Sequence, residues 1–226
     1  MAHAQINKQP LSLSSEHIAA IRKDYQLAAL DETHTGPDPL AFFGKWFMEA
    51  QAADVAEVNA LTLATVDAQN RPHARIVLLK GLDEKGFLFF TNYDSAKGND
   101  LDANPYAALV FFWQELERQV RVEGSVERVS EEESDAYFNS RPEGSKLGAW
   151  SSPQSQVIAG REILEQNYKV YEQKYAGGII PRPKHWGGYR VIPHRIEFWQ
   201  GRANRMHDRI VFTRSADEWR IVRLAP

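Results

Sequence analysis

Cysteine is absent from the 226 residues of this chain. Its absence excludes disulfide bonds, thiolate metal sites and cysteine nucleophiles, and it fits a reducing compartment. No apolar run approaches the roughly 18–20 residues that a membrane-spanning helix needs. The first ten residues are polar and lack the apolar core of a signal peptide. These absences lead us to expect a cytoplasmic protein with no membrane partner.

Net charge is also small, at −3. A chain without a global positive field is not expected to bind nucleic acid or an anionic membrane. Any anionic ligand must therefore be held by a local cluster of Arg and Lys side chains. Hydrophobic residues make up 43% of the chain and charged residues 25%, which suits one globular domain. We expect a flexible arm over residues 1–14 and a single domain over residues 15–226.

Common catalytic and nucleotide-binding motifs are missing. The sequence has no glycine loop of the P-loop or dinucleotide type, no nucleophile elbow and no His-Glu-x-x-His pair. The seven histidines lack the close spacing typical of metal ligands. We therefore expect no metal site.

Short apolar runs separated by turn residues indicate strands over most of the chain. These runs cover residues 60–66, 74–80, 87–91, 107–113, 118–128, 189–200, 209–213 and 219–224. Helical spacing occurs over residues 15–25, after the Asp38-Pro39 cap, and over residues 131–140 and 159–175, with room for a short helix between 95 and 104. Strands without βα alternation predict a mainly β protein with peripheral helices, folded as an antiparallel barrel.

The first polar cluster is an apolar strand with a cation at each end, Arg75 and Lys80. Either these cations emerge at the solvent ends of the strand, or they bind one anionic ligand. Positions 75 and 80 have opposite parity, so a regular strand points them to opposite faces. A shared ligand therefore requires an irregular strand or a position along the strand end.

The second cluster comprises Tyr137, Arg141 and Ser145. Tyr137 and Arg141 are spaced by one helical turn and so share one face of a helix. A phenol, a guanidinium and a hydroxyl suit a phosphate group, for which arginine offers two parallel donors. The alternative is a Tyr–Arg stack on the surface of the helix.

The third cluster is Arg205, His207 and Arg209, which share one face if residues 205–209 form a strand. Like charges at that spacing repel, so the cluster is either solvated surface or the binding site of an anionic ligand. Trp199 lies upstream with the same parity, where its indole would stack on a flat ring.

An ordered series of short motifs resembles the pyridoxine/pyridoxamine 5'-phosphate oxidase family, the FMN enzymes of vitamin B6 metabolism. The motifs follow the family order over residues 15–226. They read Arg75-Ile-Val-Leu-Leu-Lys80, Phe90-Thr-Asn92, Glu117-Arg-Gln-Val120, Tyr137-Phe-Asn-Ser-Arg-Pro142, Gly148-Ala-Trp150, Gln154-Ser155, Trp186-Gly-Gly188, Ile196-Glu-Phe-Trp-Gln-Gly201, Arg205-Met-His-Asp-Arg209 and Arg223-Leu-Ala-Pro226.

The resemblance implies an FMN-binding split β-barrel that forms a homodimer with FMN at the subunit interface. It implies oxidation of pyridoxamine 5'-phosphate and pyridoxine 5'-phosphate to pyridoxal 5'-phosphate. The acceptor would be O2, the by-product hydrogen peroxide, and the amine substrate would release ammonia. The alternatives are another enzyme on this scaffold, such as a phenazine-type oxidase or a flavin reductase, and a non-catalytic flavin-binding module.

The resemblance also implies roles for individual residues. Arg205 and His207 would be catalytic residues that lie against the pyridine ring of the substrate. Arg22 and Tyr25 would fold over the bound substrate, and its phosphate would bind Lys80, Tyr137, Arg141 and Ser145. FMN would be held by Arg75, Ile76, Val77, Leu78, Leu79, Lys80, Phe90, Thr91, Lys97 and Gln119 of one subunit and by Gln154 and Ser155 of the other, with Trp199 and Arg209 also beside the flavin.

Two stretches depart from the family pattern. Ala96 stands where many members carry a basic residue, so one contact to the FMN phosphate is absent or replaced. Residues 26–32 lack the basic character of some relatives. We therefore do not expect a second, regulatory ligand site there.

Overall fold

The computed structural model describes residues 15–21, 24–216 and 218–226, apart from the side chain of His17. Six helices and nine strands make up most of these residues. The helices are α1 (Ser15–Ala20), α2 (Pro39–Ala52), α3 (Ala96–Ala103), α4 (Glu131–Ser140), α5 (Glu143–Ser151) and α6 (Arg161–Lys174). The strands are β1 (Ala60–Val66), β2 (Pro72–Leu78), β3 (Gly81–Leu82), β4 (Phe87–Asn92), β5 (Tyr106–Trp113), β6 (Arg118–Arg128), β7 (Trp186–Gln200), β8 (Asp208–Ser215) and β9 (Glu218–Leu224).

The sheet divides along β7, and all its strand pairs are antiparallel. One edge of β7 pairs with β6 over residues 189–200. Its other edge pairs first with β4, through residues 186–191, and then with β8, through residues 195–200. A β-bulge lies between the two halves, next to Pro193, which has no N–H to donate to a ladder. The nine-stranded sheet with peripheral helices confirms the predicted mainly β architecture.

Helix α2 fills one face of the sheet. It begins as predicted after Asp38, whose carboxylate accepts the N–H of Leu40 at 2.9 Å. The ring of Phe43 is fully buried, with its centroid 4.9 Å from those of Phe87 and Phe111. Buried aromatic rings contribute a large part of core stability. Because the core occupies this face, the other face of the sheet remains for ligands and partners.

Polar contacts at its N-terminus hold α4 against β7. Ser130 and Glu133 form a capping box. The carboxylate of Glu133 also accepts a hydrogen bond from Arg190 at 2.8 Å, and Oγ of Ser134 accepts one from the N–H of Gly188 at 3.2 Å. These contacts fix the direction of α4 and therefore the position of the side chains in its last turn.

Several predicted elements need correction. β2 ends at Leu78, so Lys80 lies beyond the strand that we predicted to contain it. Residues 203–205 form a 3-10 turn and β8 begins at Asp208, so Arg205 and His207 are not on a strand. Helix α1 ends at Ala20 instead of residue 25, and α5 was not predicted.

Some expectations concern other parts of the chain. The predicted arm over residues 1–14 lies outside the described residues, and the domain boundaries stay a prediction. Within the described ranges, no helix has the length and apolar character needed to cross a membrane. In the same ranges, no three His, Asp or Glu side chains are grouped so that they could hold a metal ion.

Candidate functional site

A cavity of about 460 Å³ lies where the ends of β2 and β4 face α4, α5 and the start of β7. Its volume is in the usual range for ligand sites. The lining side chains described by the structure include three cations, Lys80, Lys97 and Arg141, and no carboxylate. The chain as a whole carries a net charge of −3, so the cavity is a local concentration of positive charge on an otherwise slightly acidic chain. The lining residues are Ile76, Val77, Leu78, Lys80, Phe90, Thr91, Asn92, Lys97, Tyr137, Arg141, Ser145, Gly148, Ala149, Ser152, Gln154 and Trp186.

Lys97 is the most buried of these cations, with 9% of its surface exposed. Its Nζ donates to Oγ1 of Thr91 at 3.1 Å, Oγ of Ser95 at 3.2 Å and Oε1 of Gln154 at 3.4 Å. These three acceptors are neutral, so they solvate the ammonium group without cancelling its charge. Burial, followed by the positive charge of Arg75, lowers the pKa of Lys97 below its ordinary value of 10.5. A bound anion would stabilise the charged form.

Gln154 lies in the same cavity as Lys97 and Thr91. Its Oε1 also accepts a hydrogen bond from Oγ1 of Thr91 at 3.2 Å. We predicted that Gln154 and Ser155 contact the flavin of the opposite subunit. The structure shows the Gln154 amide beside Lys97 of its own protomer, because the turn after α5 folds back over the end of β4. Ser155 is exposed, has a positive φ of 70° and does not line the cavity.

Arg75 and Leu79 were predicted to bind FMN, but they do not line the cavity. The guanidinium of Arg75 donates to Oγ1 of Thr65 at 2.6 Å and lies 3.3 Å from the carboxylate of Asp100. Leu79 is buried in the core, with 8% of its surface exposed. Lys80 does line the cavity, so the two cations of this motif point to different environments, as their opposite parity indicated. Arg75 contributes to the cavity through its charge on Lys97.

Tyr137, Arg141 and Ser145 meet at one wall of the cavity. Tyr137 lies in the last turn of α4, Arg141 follows the end of that helix, and Ser145 lies in the first turn of α5. Burial lowers the pKa of Arg141 and raises that of Tyr137. Nη1 of Arg141 is buried and has no hydrogen-bond partner among the described residues. This arrangement is not the solvated Tyr–Arg stack considered as an alternative.

Trp199, His207 and Tyr25 form a second group, called here the aromatic cluster. The ring centroid of Trp199 lies 4.6 Å from that of His207 and 5.8 Å from that of Tyr25. Nδ1 of His207 accepts the backbone N–H of Arg202 at 3.1 Å, so the neutral imidazole carries its proton on Nε2. The guanidinium of Arg205 is exposed next to this cluster and makes no hydrogen bond or ion pair with another described residue.

Arg209 borders the aromatic cluster and is held by a buried carboxylate. Oε1 of Glu197, a side chain that is 1% exposed, accepts from Nε of Arg209 at 2.9 Å. Oε2 of Glu197 accepts from Arg195 at 2.9 Å. Burial raises the pKa of Glu197, but the ion pairs with Arg209 and Arg195 outweigh burial and hold the pKa below its ordinary value of 4.5. No sequence pattern predicted that Glu197 would hold Arg209.

The cavity and the aromatic cluster lie on the same face of the sheet. A cross-strand row joins Ile76 of the cavity to Thr62, Val110, Arg121 and Glu197. The next row contains Phe112, Gln119, Trp199 and Arg209, so Gln119 lies with the aromatic cluster and not in the cavity. Four strand spacings separate Ile76 from Glu197, a path of roughly 19 Å measured along the curved sheet. One protomer therefore presents two halves of a site at a distance from each other.

Arg22, predicted to cover the substrate with Tyr25, lies outside the described residues. Tyr25 itself is held on the aromatic cluster by its neighbours. The buried carboxylate of Glu117 accepts the N–H groups of Gln26 at 2.9 Å and Leu27 at 3.1 Å. Gly201 lies directly under the Tyr25 ring, where a Cβ would come within 2.7 Å of that ring. The segment after α1 is thus attached to the same face of the sheet as Trp199.

This is a split-barrel protein with a cation-lined cavity at one face of its sheet. A family model described as pyridoxamine 5'-phosphate oxidase matches residues 47–175. A second, described as the C-terminal dimerisation region of pyridoxine 5'-phosphate oxidase, matches residues 186–226. The chain belongs to the pyridoxamine 5'-phosphate oxidase family.

Individual relatives cover nearly the whole chain. The chain is 60% identical over 210 residues to pyridoxine/pyridoxamine 5'-phosphate oxidase 1 of Ralstonia nicotianae, an alignment that covers 92% of this chain and 99% of that protein. It is 58% identical over 212 residues to pyridoxine/pyridoxamine 5'-phosphate oxidase of Burkholderia multivorans, with coverage of 92% and 99%.

Solved structures confirm the split-barrel fold. PhzG of Burkholderia lata, crystallised with tetrahydrophenazine-1-carboxylic acid, superposes with a TM-score of 0.84 at 28% identity, covering 89% of this chain and 100% of that one. An FMN-binding protein of Nostoc punctiforme, related to pyridoxamine 5'-phosphate oxidase, superposes with a TM-score of 0.67 at 18% identity, covering 84% and 98%. The predicted fold class and family are therefore confirmed.

Proposed function

We propose that this protein is an FMN-dependent oxidase that converts pyridoxamine 5'-phosphate and pyridoxine 5'-phosphate to pyridoxal 5'-phosphate. Relatives with 58–60% identity over 92% of the chain carry the name of this activity. The observation that carries the proposal is the cavity lined by three cations and, among the described residues, no carboxylate. Such a cavity suits a site that must hold the phosphate of a cofactor and the phosphate of a substrate.

The donor groups in the cavity fit FMN. Lys97 is a buried cation with only neutral hydrogen-bond partners, Thr91, Ser95 and Gln154, and suits the FMN phosphate. The apolar side chains of Ile76 and Leu78 are 65% and 38% exposed beside it, and they suit a flat ring. The chemistry that FMN supplies when bound is acceptance of two electrons from the substrate and their transfer to O2, which gives hydrogen peroxide.

The substrate phosphate is bound by Lys80, Tyr137, Arg141 and Ser145, which together we call the phosphate grip. The free Nη1 of Arg141 supplies the strongest argument, because a buried donor without a partner costs free energy until a ligand satisfies it. Lys80 lies exposed at the edge of the cavity and adds a second charge. The grip orients the substrate by its phosphate and leaves the pyridine ring free to meet other residues.

Arg205 and His207 act on the pyridine ring. His207 presents Nε2–H as a donor, because the Arg202 N–H holds Nδ1 as an acceptor. The guanidinium of Arg205 is exposed and suits an oxygen or ring nitrogen of the substrate. Tyr25 packs against the same cluster, with its ring centroid 5.8 Å from that of Trp199 and 6.0 Å from that of His207. With FMN as the two-electron acceptor, an amine substrate would be oxidised to an imine, which one water molecule would hydrolyse to the aldehyde and ammonia.

The complete site forms in a homodimer. The match of residues 186–226 to a dimerisation region supports association of two copies. The face that carries both half-sites also exposes Ile76, Tyr106 and Phe112, at 65%, 58% and 51%. A two-fold axis on this face would bring the aromatic cluster and Arg209 of one protomer opposite the cavity of the other. FMN then lies at the subunit interface, with O2 reaching it there.

A phenazine-type oxidase is the second candidate, since PhzG superposes with a TM-score of 0.84. The phosphate grip favours the vitamer phosphates over a phenazine precursor, because its four donor side chains suit the several oxygens of a phosphate group. No observation favours a flavin reductase or a non-catalytic module. The absence of cysteine supports a cytoplasmic location.

Absorption spectroscopy and a peroxide assay test the proposal directly. The purified protein should be yellow, release FMN and no FAD on denaturation, and form hydrogen peroxide with pyridoxamine 5'-phosphate and pyridoxine 5'-phosphate. Colourless protein that takes up no FMN on titration would overturn the assignment. Turnover of a phenazine precursor in place of the vitamers would favour the second candidate.

A further inference from the structure

The Trp186-Gly187-Gly188 motif at the start of β7 has no role in the site described so far. Trp186 lines the cavity and is 7% exposed. Its ring is nearly parallel to that of Tyr137, with an interplanar angle of 9° and centroids 6.1 Å apart. The ring of Phe90 completes the stack, 4.0 Å from Tyr137 and 5.6 Å from Trp186. The motif therefore supports one wall of the phosphate grip from beneath.

Glycine at position 188 lets this stack form. A Cβ on Gly188 would come within 2.7 Å of the Phe90 ring and 2.6 Å of the Val129 side chain. At position 187 a Cβ would lie 2.0 Å from the hydroxyl of Tyr93. A side chain at either position would displace its aromatic neighbour. The two glycines thus allow rings to lie flat against the strand next to Trp186.

Arg141 is the cation that Trp186 contacts. Its Cζ lies 4.5 Å from the centroid of the Trp186 ring, and its Nη1 is buried without a hydrogen-bond partner among the described residues. No carboxylate forms an ion pair with Arg141 in the part of the chain that the structure describes. An aromatic face attracts a guanidinium without cancelling its charge. Arg141 is therefore held in place and still able to attract an anion.

Arg190, on the same strand as Trp186, is a buried arginine that differs from Arg141 because carboxylates surround it. Its guanidinium is 7% exposed and lies within 3.2 Å of carboxylate oxygens of Asp83, Glu127 and Glu133. Burial opposes its charge, but these carboxylates raise its pKa above the ordinary value. Arg190 is a structural cation whose charge is fully balanced. Arg141 contacts an aromatic ring and, among the described residues, no carboxylate. Its charge is therefore not neutralised within the protein and remains available to bind an anion.

We propose that Trp186 is a positioning residue that holds the Arg141 guanidinium for the substrate phosphate and so sets the preference for phosphorylated vitamers. The inference rests on the proposed function and adds a residue to it. Trp186 acts through Arg141 and makes no contact with the reacting carbon. Its removal should therefore affect capture of the phosphate group and not the chemical step.

Steady-state kinetics of Trp186→Leu in the FMN-loaded dimer tests this proposal. We expect the KM for pyridoxamine 5'-phosphate to rise about tenfold, the order that a desolvated cation–π contact contributes, while kcat stays close to the parental value. Trp186→Phe keeps a ring under Arg141 and should restore most of the lost affinity. The slow reaction of unphosphorylated pyridoxamine should not change, because it makes no use of Arg141.

Two further variants separate positioning from general damage. Trp219→Leu removes a half-buried indole that lies 5.9 Å from the Arg214 guanidinium, away from the cavity, and should leave the KM unchanged. In an Arg141→Ala background, Trp186→Leu should add no further rise in KM, since the residue it supports is gone. Should Trp186→Leu fail to fold, the same cycle is run with Trp186→Phe, whose smaller rise in KM should also vanish in that background.

Inorganic phosphate provides a probe independent of turnover. Its competitive inhibition constant should rise in Trp186→Leu and Arg141→Ala and stay near the parental value in Trp186→Phe. Equal losses with phosphorylated and unphosphorylated substrates, or an additive effect in the Arg141→Ala background, would overturn the role of Trp186. Failure of the parental protein to oxidise either vitamer phosphate would instead overturn the proposed function.

Discussion

Nζ of Lys97 and Oε1 of Gln154 lie 3.4 Å apart within one protomer. Both therefore belong to one half of the proposed site, and Arg209 belongs to the other half, next to Trp199 on β8. In a two-fold dimer, each complete site takes Lys97 and Gln154 from one protomer and Arg209 from its partner. This arrangement predicts which pairs of defective subunits restore a site and which do not.

Mixed dimers provide the first prediction. Lys97→Met and Arg209→Ala homodimers should each bind FMN weakly. After subunit exchange, a dimer of one Lys97→Met and one Arg209→Ala protomer contains one site with neither defect, so FMN binding and activity should return to about half per mixed dimer. A Lys97→Met and Gln154→Ala mixture serves as the control, because every site then carries one defect. Equal recovery in both mixtures would place Gln154 in the partner's site.

The buried charge of Lys97 should lower the free energy of unfolding of the FMN-free protein. Burial and Arg75 lower its pKa, so between that pKa and 10.5 the unfolded chain binds more protons than the folded one. The free energy of unfolding of the FMN-free protein, relative to Lys97→Met, should therefore rise with pH across this window. Urea unfolding at several pH values measures the difference. FMN titration should show the opposite ranking, with Lys97→Met the weaker binder at neutral pH.

The stability of Lys97→Met without FMN decides whether Lys97 is a ligand-binding or a structural residue. A Lys97→Met protein that is less stable than the parent without FMN would show that Lys97 stabilises the fold by itself. Lys85→Met is the control, since it replaces an exposed lysine of the turn between β3 and β4 that does not line the cavity. Neither FMN affinity nor the pH dependence of unfolding should change in this control.

Glu197 should stabilise the protein and also hold Arg209. Removing one partner of a buried ion-pair network leaves charges unpaired and costs on the order of 3 kcal/mol. Glu197→Gln should therefore lower the free energy of unfolding by about that amount and weaken FMN binding. The folded pKa of Glu197 lies below 4.5, so its contribution is present above pH 4.5 and is lost as pH falls through the folded pKa.

Chemical denaturation at neutral and acidic pH checks the role of Glu197. The stability gap between parent and Glu197→Gln should close on acidification below about pH 4.5. Glu123→Gln is a matched control, because Glu123 is 33% exposed and pairs with Arg195 without contacting Arg209. Its loss should cost less than about 1 kcal/mol. A pH-independent gap for Glu197→Gln would contradict the ion-pair origin of the effect.

Substitution of His207 or Arg205, the residues proposed to lie against the pyridine ring, should lower turnover without lowering the FMN content. His207→Ala removes the Nε2–H donor, and Arg205→Ala removes an exposed guanidinium. Loss of one charge-assisted contact corresponds to about 10–100-fold in kcat/KM, and FMN content should remain near one per protomer. His73→Ala, at an exposed position near the start of β2 and away from both half-sites, should leave both quantities unchanged. Parental rates for both His207→Ala and Arg205→Ala would show that these two residues play no part in the reaction.

Local patterns predicted much of the fold. β1 and β6 have the bounds that alternation predicted, and Val120 and Val122 of β6 are fully buried while Glu123 faces out. Helix α5 was missed because Gly144 and Gly148 have low helix propensity, and tertiary packing on α6 overrides that preference. The division of β7 between β4 and β8 depends on pairs far apart in sequence, which periodicity does not reveal.

The candidate site was predicted less completely. The resemblance selected Lys80, Lys97, Tyr137 and Arg141, and the structure brings these four residues to one cavity. The prediction that Arg205 lies on a strand with His207 and Arg209 was wrong. Asn204 and Arg205 adopt left-handed backbone angles, with φ of 55° and 61°, which a strand does not allow. The supporting roles of Glu197 and Trp186 arise from contacts across strands. Such contacts follow from the register of the sheet and not from the sequence around either residue.

The phosphate grip gives the sharpest prediction. Arg141→Ala removes a half-buried guanidinium whose Nη1 is buried and has no partner among the described residues. Charge-assisted hydrogen bonds contribute on the order of 1.5–3 kcal/mol each, so KM for pyridoxamine 5'-phosphate should rise by one to two orders of magnitude. The poor reaction of unphosphorylated pyridoxamine should barely change, since that substrate never contacts Arg141.

A lost phosphate contact is identified when the kcat/KM values for the phosphorylated and the unphosphorylated substrate become similar. Arg128→Ala is a suitable control, because its guanidinium also lies over an aromatic ring, 4.2 Å from the centroid of Tyr93, but does not line the cavity. It should lower stability slightly and leave the ratio of kcat/KM for phosphorylated over unphosphorylated substrate unchanged. Arg141→Ala should collapse that ratio. An equal loss with both substrates would mean that Arg141 supports the junction of α4 and α5 and does not bind the phosphate.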